Sequence, residues 1–308
     1  MIYHLVEYLK DLGIDLPGQG LFGYLSFRAI AAFTTALLIS IFAGKDIIRW
    51  IQKKQIGEEI RDLGLEGQMQ KKGTPTMGGL IFIVPTILST LALIVTDKVS
   101  YTSNLGIVLL VFIGYACIGF LDDFLSIRKG NNEGLTTYQK LFMQVLIAIG
   151  FFYIYMKSGS EPLLWFHAFD LKVDIGWLYG FFILFMLVAS SNAVNITDGL
   201  DGLAGGLSAI AFIAFSMISL MVGYTDMAIF TLVLTGALIG FLIYNGHPAK
   251  VFMGDTGSLA LGAVMGTVAI ITHREITLFI VAFVFVFETL TVIFQVFWVK
   301  TFKKRLFL

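Results

Sequence analysis

The stretch Ser190-Ser191-Asn192-Ala193-Val194-Asn195-Ile196-Thr197-Asp198-Gly199-Leu200-Asp201-Gly202-Leu203-Ala204-Gly205-Gly206 lies between two strongly apolar runs, at 175–189 and 203–222. It gathers two Asn, two Asp, a Thr and four Gly, with no Lys or Arg. The runs on either side are too long and continuous for barrel strands and suit spanning helices. A connection between two such helices needs only a turn. Two carboxylates and enough glycine for close backbone approach suggest part of a metal-phosphate site at a membrane surface.

The rest of the 308 residues agrees with a membrane environment. Hydrophobic residues make up 57%, including 29 Phe, and charged residues only 14%, against about 25% in a soluble domain. Mean hydropathy is +0.86. Further apolar runs fall at 25–43, 77–95, 105–121, 138–156, 227–244, 258–271 and 276–299. The expected fold is all-α: a polytopic helical membrane protein with nine spans, forming a single transmembrane helical domain over 1–308. Net charge is zero, and no nucleic-acid partner is expected. The single Cys117 excludes an intramolecular disulfide; its plain reading is a buried small apolar residue. Glu7, Asp11 and Asp15 ahead of the first run do not suit a cleavable signal peptide.

Lys and Arg in the loops set the orientation. Lys45, Arg49, Lys53, Lys54, Arg61, Lys71, Lys72, Arg128, Lys129, Lys140, Lys250, Lys300, Lys303, Lys304 and Arg305 fall on one side, 15 in all. Lys10, Lys98, Lys157, Lys172 and Arg274, five residues, fall on the other. The N-terminus is therefore expected outside. Asp122 and Asp123, Asp198 and Asp201, and Asp255 then share the inner face. Carboxylates gathered in low dielectric need a compensating cation, either the basic residues on that side or a divalent metal.

Four clusters could carry chemistry. Gly119-Phe120-Leu121-Asp122-Asp123-Phe124 places two acids at the expected end of the third span, where they oppose the helix macrodipole unless something offsets them. Asn192, Asn195, Asp198 and Asp201 are three apart and would share a helical face. Around Asp255, the sequence Gly254-Asp255-Thr256-Gly257-Ser258 suits either an anion-friendly helix N-terminus or plain N-capping. Lys71-Lys72-Gly73-Thr74-Pro75-Thr76-Met77-Gly78-Gly79 offers lysines and hydroxyls to phosphate, or simply to a membrane surface. His247, before Pro248, is read as a turn residue. Glu288 lies inside the ninth run, with Gln295 on nearly the same face, and is read as a structural residue.

These motifs, in this order, resemble those of the polyprenyl-phosphate N-acetylhexosamine-1-phosphate transferases. The matching pieces are Gly73–Gly79, Gly119–Asp123, Asn192–Ala204 and Val251–Gly262. The Thr-Pro-Thr-Met-Gly-Gly and Thr-Asp-Gly-Leu-Asp-Gly-Leu-Ala wordings favour the branch that uses UDP-N-acetylmuramoyl-pentapeptide over the branch that uses UDP-N-acetylglucosamine. The resemblance implies transfer of the phospho-sugar to undecaprenyl phosphate, giving lipid I and UMP, with Mg²⁺ required. It also implies a homodimer of ten-helix chains among the lipids of a bacterial plasma membrane, with the site facing the cytoplasm. Residue by residue, it implies Asp255 as leading metal ligand with Asp198 beside it. Asp122 and Asp123 would bind or deprotonate the lipid phosphate. Asn192, Asn195, Asp198, Asp201, Asn245 and Phe252 would form the nucleotide and metal region, and Lys71, Lys72, Thr76 and Lys140 would face the phosphates. Direct displacement with Asp122 as base and a covalent intermediate on Asp122 both stay open.

The family has a His-rich loop after the ninth helix and then a tenth helix; neither occurs before the end at Leu308. His4, His167, His247 and His273 do not replace that loop, so a truncated form of a longer protein is expected. An ion-coupled transporter would place its carboxylates near the bilayer midplane. Five of the six candidates lie at one face, and only Glu288 fits that pattern.

Overall fold

Leu12, Leu21 and residues 24–53, 74–95, 102–129 and 134–304 are described by a computed structural model. The helices are α1 (Leu25–Lys53), α2 (Leu80–Val95), α3 (Ser103–Lys129), α4 (Thr137–Lys157), α5 (Leu178–Thr197), α6 (Leu203–Met221), α7 (Thr225–Asn245), α8 (Gly254–Ile271), α9 (Glu275–Val281) and α10 (Phe283–Phe302). Between α4 and α5, β1 (Leu163–Phe166) and β2 (Leu171–Asp174) form an antiparallel hairpin, with Leu163 opposite Asp174. Among the described residues, eight helices are long and apolar enough to cross a membrane. The shorter α2 has 16 residues and contains Pro85. The chain is therefore a polytopic helical membrane protein.

The bundle is built around α8. Every residue from Thr256 to Ile271 is buried, and α3 and α5 flank it closely. Its small residues permit this. A Cβ at Gly262 would collide with the Ser190 carbonyl of α5, and one at Gly119 of α3 would collide with the Asp255 carbonyl. With no hydrophobic drive between helices in lipid, such close backbone approach supplies the packing. The α1–α7 contact uses the same device: Gly236 lies against the Phe33 carbonyl, and Ser40 Oγ donates to Ala237 O at 2.8 Å.

Four sequence expectations are corrected. First, α3 continues to Lys129, so Asp122 and Asp123 lie inside the helix rather than at its C-terminus; the macrodipole argument for them lapses. Second, the run at 276–299 is broken at Ala282, whose φ of −99° and ψ of 21° leave the helical region. The following α10 is largely exposed, with Phe285 its buried residue. Third, the hairpin was not expected: four residues per strand give too little alternation to register. Fourth, Cys117 is exposed on α3.

The hairpin and the acidic residues occupy opposite ends of the bundle. His167, following β1, places Nε2 2.7 Å from the His273 carbonyl, just beyond the C-terminus of α8. Asp255 lies in the first turn of α8.

Candidate active site

The site is assembled on the first turn of α8. Its leading N–H groups face α3, where Asp123 is 9% exposed. Asp123 Oδ1 accepts from Asp255 N at 3.1 Å; Oδ2 accepts from Thr256 N at 3.0 Å and from Thr256 Oγ1 at 2.6 Å. A carboxylate from another helix thus caps α8. This corrects two readings at once. Neither Asp255 nor Thr256 serves as N-cap, since the cap position is Met253 with no side-chain bond. The anion-friendly N-terminus is already filled by Asp123 rather than left for a phosphate.

With α8 capped, Asp255 projects into a cluster of mixed charge. Lys140 Nζ lies 2.9 Å from Asp255 Oδ2 and 3.0 Å from Asp122 Oδ2. Asn195 Nδ2, from α5, donates to Asp255 Oδ1 at 2.7 Å and to Ser258 Oγ at 2.9 Å. Asp122 Oδ1 accepts from Leu135 N at 2.6 Å. One ammonium therefore bridges two carboxylates from two helices and offsets one of their two charges. Lys140 sits in the first turn of α4, where a cation opposes the helix dipole; the two carboxylates offset that. The start of α4 is fixed by a reciprocal capping box. Gln139 N donates to Thr136 Oγ1 at 3.3 Å, and Thr136 N donates to Gln139 Oε1 at 3.0 Å. The side chains of Lys140, Asp255 and Asp122 keep 29%, 23% and 13% exposure, so the cluster keeps partial contact with solvent, whereas Asp123 is buried.

The loop carrying Thr76 is stitched to the segment before α8. Phe252 N donates to Pro75 O, Gly78 N to Phe252 O and Gly79 N to Met253 O, at 2.8–2.9 Å. Gly79 and Gly257 approach so closely that a Cβ on Gly79 would meet backbone atoms of Gly257. Thr76 is buried, and its Oγ1 lies beside Gly254, whose φ of 73° favours glycine. Phe252 has a half-buried side chain. Lys71 and Lys72 lie outside the described residues.

The opening stretch divides. Asn192 and Asn195 belong to α5, and Asp198 is half-buried at its C-terminal cap. Asn192 donates to Val188 O at 2.8 Å within its own helix. Asp201 lies past the helix end and does not continue that face: its Oδ2 meets His247 Nδ1 at 2.9 Å and accepts from Ala249 N at 3.2 Å. Asn245 is 2% exposed and ties the same region together, accepting from Gly202 N at 3.1 Å and donating to Val251 O at 3.0 Å. Both ends of that amide are engaged internally, so Asn245 shapes the loop.

Two participants escaped the sequence reading. Ser258 was quoted only within a motif, and the Leu135 N–H belongs to a loop with no motif at all. A Gly-Leu-Thr-Thr turn before a helix was the available signal for the second. Among the described residues, no set of three or more His, Cys, Asp and Glu side chains converges to hold a metal unaided. Mg²⁺ does not require such a cage; it keeps water and uses one or two carboxylates with substrate phosphates. Asp255, partly exposed and already facing one cation, the Lys140 ammonium, through Oδ2, is a carboxylate of the kind that ion uses.

The chain is similar to known proteins over most of its length. Residues 105–273 match glycosyl transferase family 4, and residues 71–83 match signature 1 of phospho-N-acetylmuramoyl-pentapeptide transferase. The phospho-N-acetylmuramoyl-pentapeptide transferase of Geobacillus kaustophilus is 44% identical over 279 residues, covering 90% of this chain and 86% of that protein. Its counterpart in Bacillus subtilis is 45% identical over 271 residues, 88% of this chain and 83% of that one. The Bacillus cytotoxicus enzyme is 46% identical, with 88% and 84% covered. With the family match spanning residues 105–273, more than half of the chain, and these relatives 44–46% identical over 88–90% of it, the chain belongs to the phospho-N-acetylmuramoyl-pentapeptide transferase family.

Proposed function

We propose that the chain transfers phospho-N-acetylmuramoyl-pentapeptide from its UDP conjugate to undecaprenyl phosphate, releasing UMP and forming lipid I. The observation that carries this is the Asp122–Lys140–Asp255 cluster, partly exposed to solvent at one end of an apolar bundle. Phosphoryl transfer asks mainly for charge neutralisation and in-line positioning. A site at the bundle end serves one soluble and one lipid substrate. A transporter would need such acids at mid-depth.

In this reading an oxygen of the lipid phosphate attacks the sugar-bearing phosphorus, and the bond from that phosphorus to the UMP oxygen breaks. Asp122 takes the proton of the lipid phosphate where one is present. Lys140 offsets charge on the transferring phosphate, and Asn195 orients Asp255 through Oδ1. Asp255 would hold a Mg²⁺ ion, with Asp198, one turn beyond Asn195, as the second carboxylate donor. That ion supplies neutralisation of the diphosphate. Asp201, Phe252 and the Asn245-held loop would wall the nucleotide side, with Asn192 at its edge, and Thr76 would serve the phosphates; Lys71 and Lys72, outside the described residues, take that role from their motif alone. Asp123 keeps a structural place. A homodimer in a bacterial plasma membrane, with the site facing the cytoplasm, completes the proposal.

The test is UMP release by purified protein supplied with undecaprenyl phosphate and each UDP-sugar, with and without a chelator. Release from the muramoyl-pentapeptide donor that stops on chelation is expected. Release only from UDP-N-acetylglucosamine would move the chain to the other branch. The Asp255→Asn variant should lose about 10²–10³-fold in kcat, the range for one preorganised electrostatic group, while folding as the parent does. Parent-like turnover would remove Asp255 from the mechanism.

A further inference from the structure

On the outer flank of α1 and α7, at the end of the bundle that carries the acidic cluster, lies a cleft of about 300 Å³. It is lined by Lys45, Ile48, Arg49, Gln52, Tyr244 and Lys250, and shares no residue with the site above. Lys45, Arg49 and Gln52 stand at helical spacing on one face of α1. Lys250 enters from the loop after α7, its N–H donating to the Tyr244 carbonyl at 2.8 Å. The wall is closely packed. A Cβ at Gly44 would collide with the Tyr244 ring, and the Tyr244 hydroxyl donates to the Ile41 carbonyl.

Three cations therefore converge around one cleft. Asp46 bonds Arg49 at 3.2 Å, but those side chains are 78% and 71% exposed, so water screens the pair. Among the described residues, Lys45 and Lys250 form no ion pair. Toward the middle of α1 the same stripe turns apolar and outward: Phe42 is 71% exposed and Leu38 45%, and on α7, which packs against α1, Ile243 is 55% exposed. Trp50, also exposed, stands near the charged end of the helix, where an indole suits the head-group level of a bilayer.

We propose that this cleft is a binding site for an anionic glycerophospholipid. Its phosphodiester lies among Lys45, Arg49 and Lys250, and its acyl chains run along Leu38, Phe42 and Ile243. A cationic pocket at the foot of an apolar, outward-facing stripe matches an amphiphile with an anionic head. A soluble anion would use the cations and leave the stripe unused; a neutral lipid would use the stripe and leave the cations unpaired.

The full chain, delipidated in detergent and re-exposed to phosphatidylglycerol or phosphatidylcholine, tests this by native mass spectrometry. The parent should retain phosphatidylglycerol in preference to phosphatidylcholine. The triple variant Lys45→Gln, Arg49→Gln, Lys250→Gln should bind phosphatidylglycerol on the order of a hundredfold more weakly, and the loop variant Lys250→Gln alone about fivefold. A variant with Lys300→Gln, Lys303→Gln and Lys304→Gln, which removes three cations beyond this cleft, should bind as the parent does. The proposal is overturned by equal retention in parent and Lys250→Gln, or by equal retention of the two lipids. It is also overturned if millimolar inorganic phosphate or UDP displaces the lipid, since the cleft would then be a soluble-anion site.

Discussion

Lys140 is the charge on which the acidic cluster balances. It touches Asp122 and Asp255 at 3.0 and 2.9 Å, so removing it leaves two carboxylates facing each other without compensation. Lys140→Met is expected to lower UMP release by about 10²–10³-fold, and Lys140→Arg by less, because a guanidinium can still span two carboxylates. Equal losses in the two variants would show that charge is not what the position supplies. At the far end of the bundle, Glu275 is 6% exposed and accepts from Tyr179 Oη at 3.2 Å. Burial pushes its carboxyl up to about 7. An acid raised in the fold contributes stability that is full below its unfolded value and is lost as pH rises through the folded one. The parent should therefore lose thermal stability between about pH 4.5 and 7, and Glu275→Gln, which stays neutral, should flatten that slope. A slope unchanged in Glu275→Gln would assign it to another group.

The junction of α3 and α8 depends on Asp123, which replaces the missing side-chain cap of α8 with three hydrogen bonds. Asp123→Asn keeps one acceptor and turns the other side of the group into a donor facing Thr256. The cost is about 1.5–3 kcal/mol for each lost bond to a charged acceptor. Thermal stability and activity should fall together in Asp123→Asn, whereas Asp255→Asn loses activity with the melting temperature unchanged. An Asp123→Asn protein that melts as the parent does yet is inactive would place Asp123 at the chemistry. The pairing Asp122–Asp123 was legible as a motif. That one acid faces Lys140 while its neighbour caps a helix was not, because successive residues on a helix diverge by about 100° and no local rule says what each will meet.

Across the bundle, the acidic cluster and the hairpin lie at opposite ends, and the proposed orientation predicts that the membrane separates them. With Cys117 replaced by Ser, single cysteines at Glu161→Cys beside the hairpin and at Leu200→Cys in the α5–α6 turn give the direction. Both positions are exposed. A charged maleimide added to intact cells should label the first and spare the second until the membrane is opened. The reverse pattern would invert the orientation inferred from Lys and Arg. The apolar runs were legible in outline throughout, since their length and continuity suit lipid better than any other environment. The break at Ala282 was not: Phe283 onward is as apolar as what precedes it, and nothing in that composition marks where the helix turns away from α8.

Composition and long apolar runs were enough to establish a helical membrane protein. The order of its Gly-, Asn- and Asp-rich motifs was enough to suggest phosphoryl transfer and its family. The stretch from Ser190 to Gly206 looked like one polar face. Folding divided it, sending Asn195 to Asp255 and Asp201 to His247 and the Ala249 N–H. The partners are set by long-range contacts: Lys140 lies 115 residues from Asp255, and Asp123 lies 133 from Thr256. Hydrophobic periodicity reports the environment of each helix, a local property. Which carboxylate receives a lysine, an amide or a helix end depends on helices brought together by glycine-sized contacts such as Gly119 on Asp255 and Gly79 on Gly257. Those contacts exist only once the chain has closed around α8.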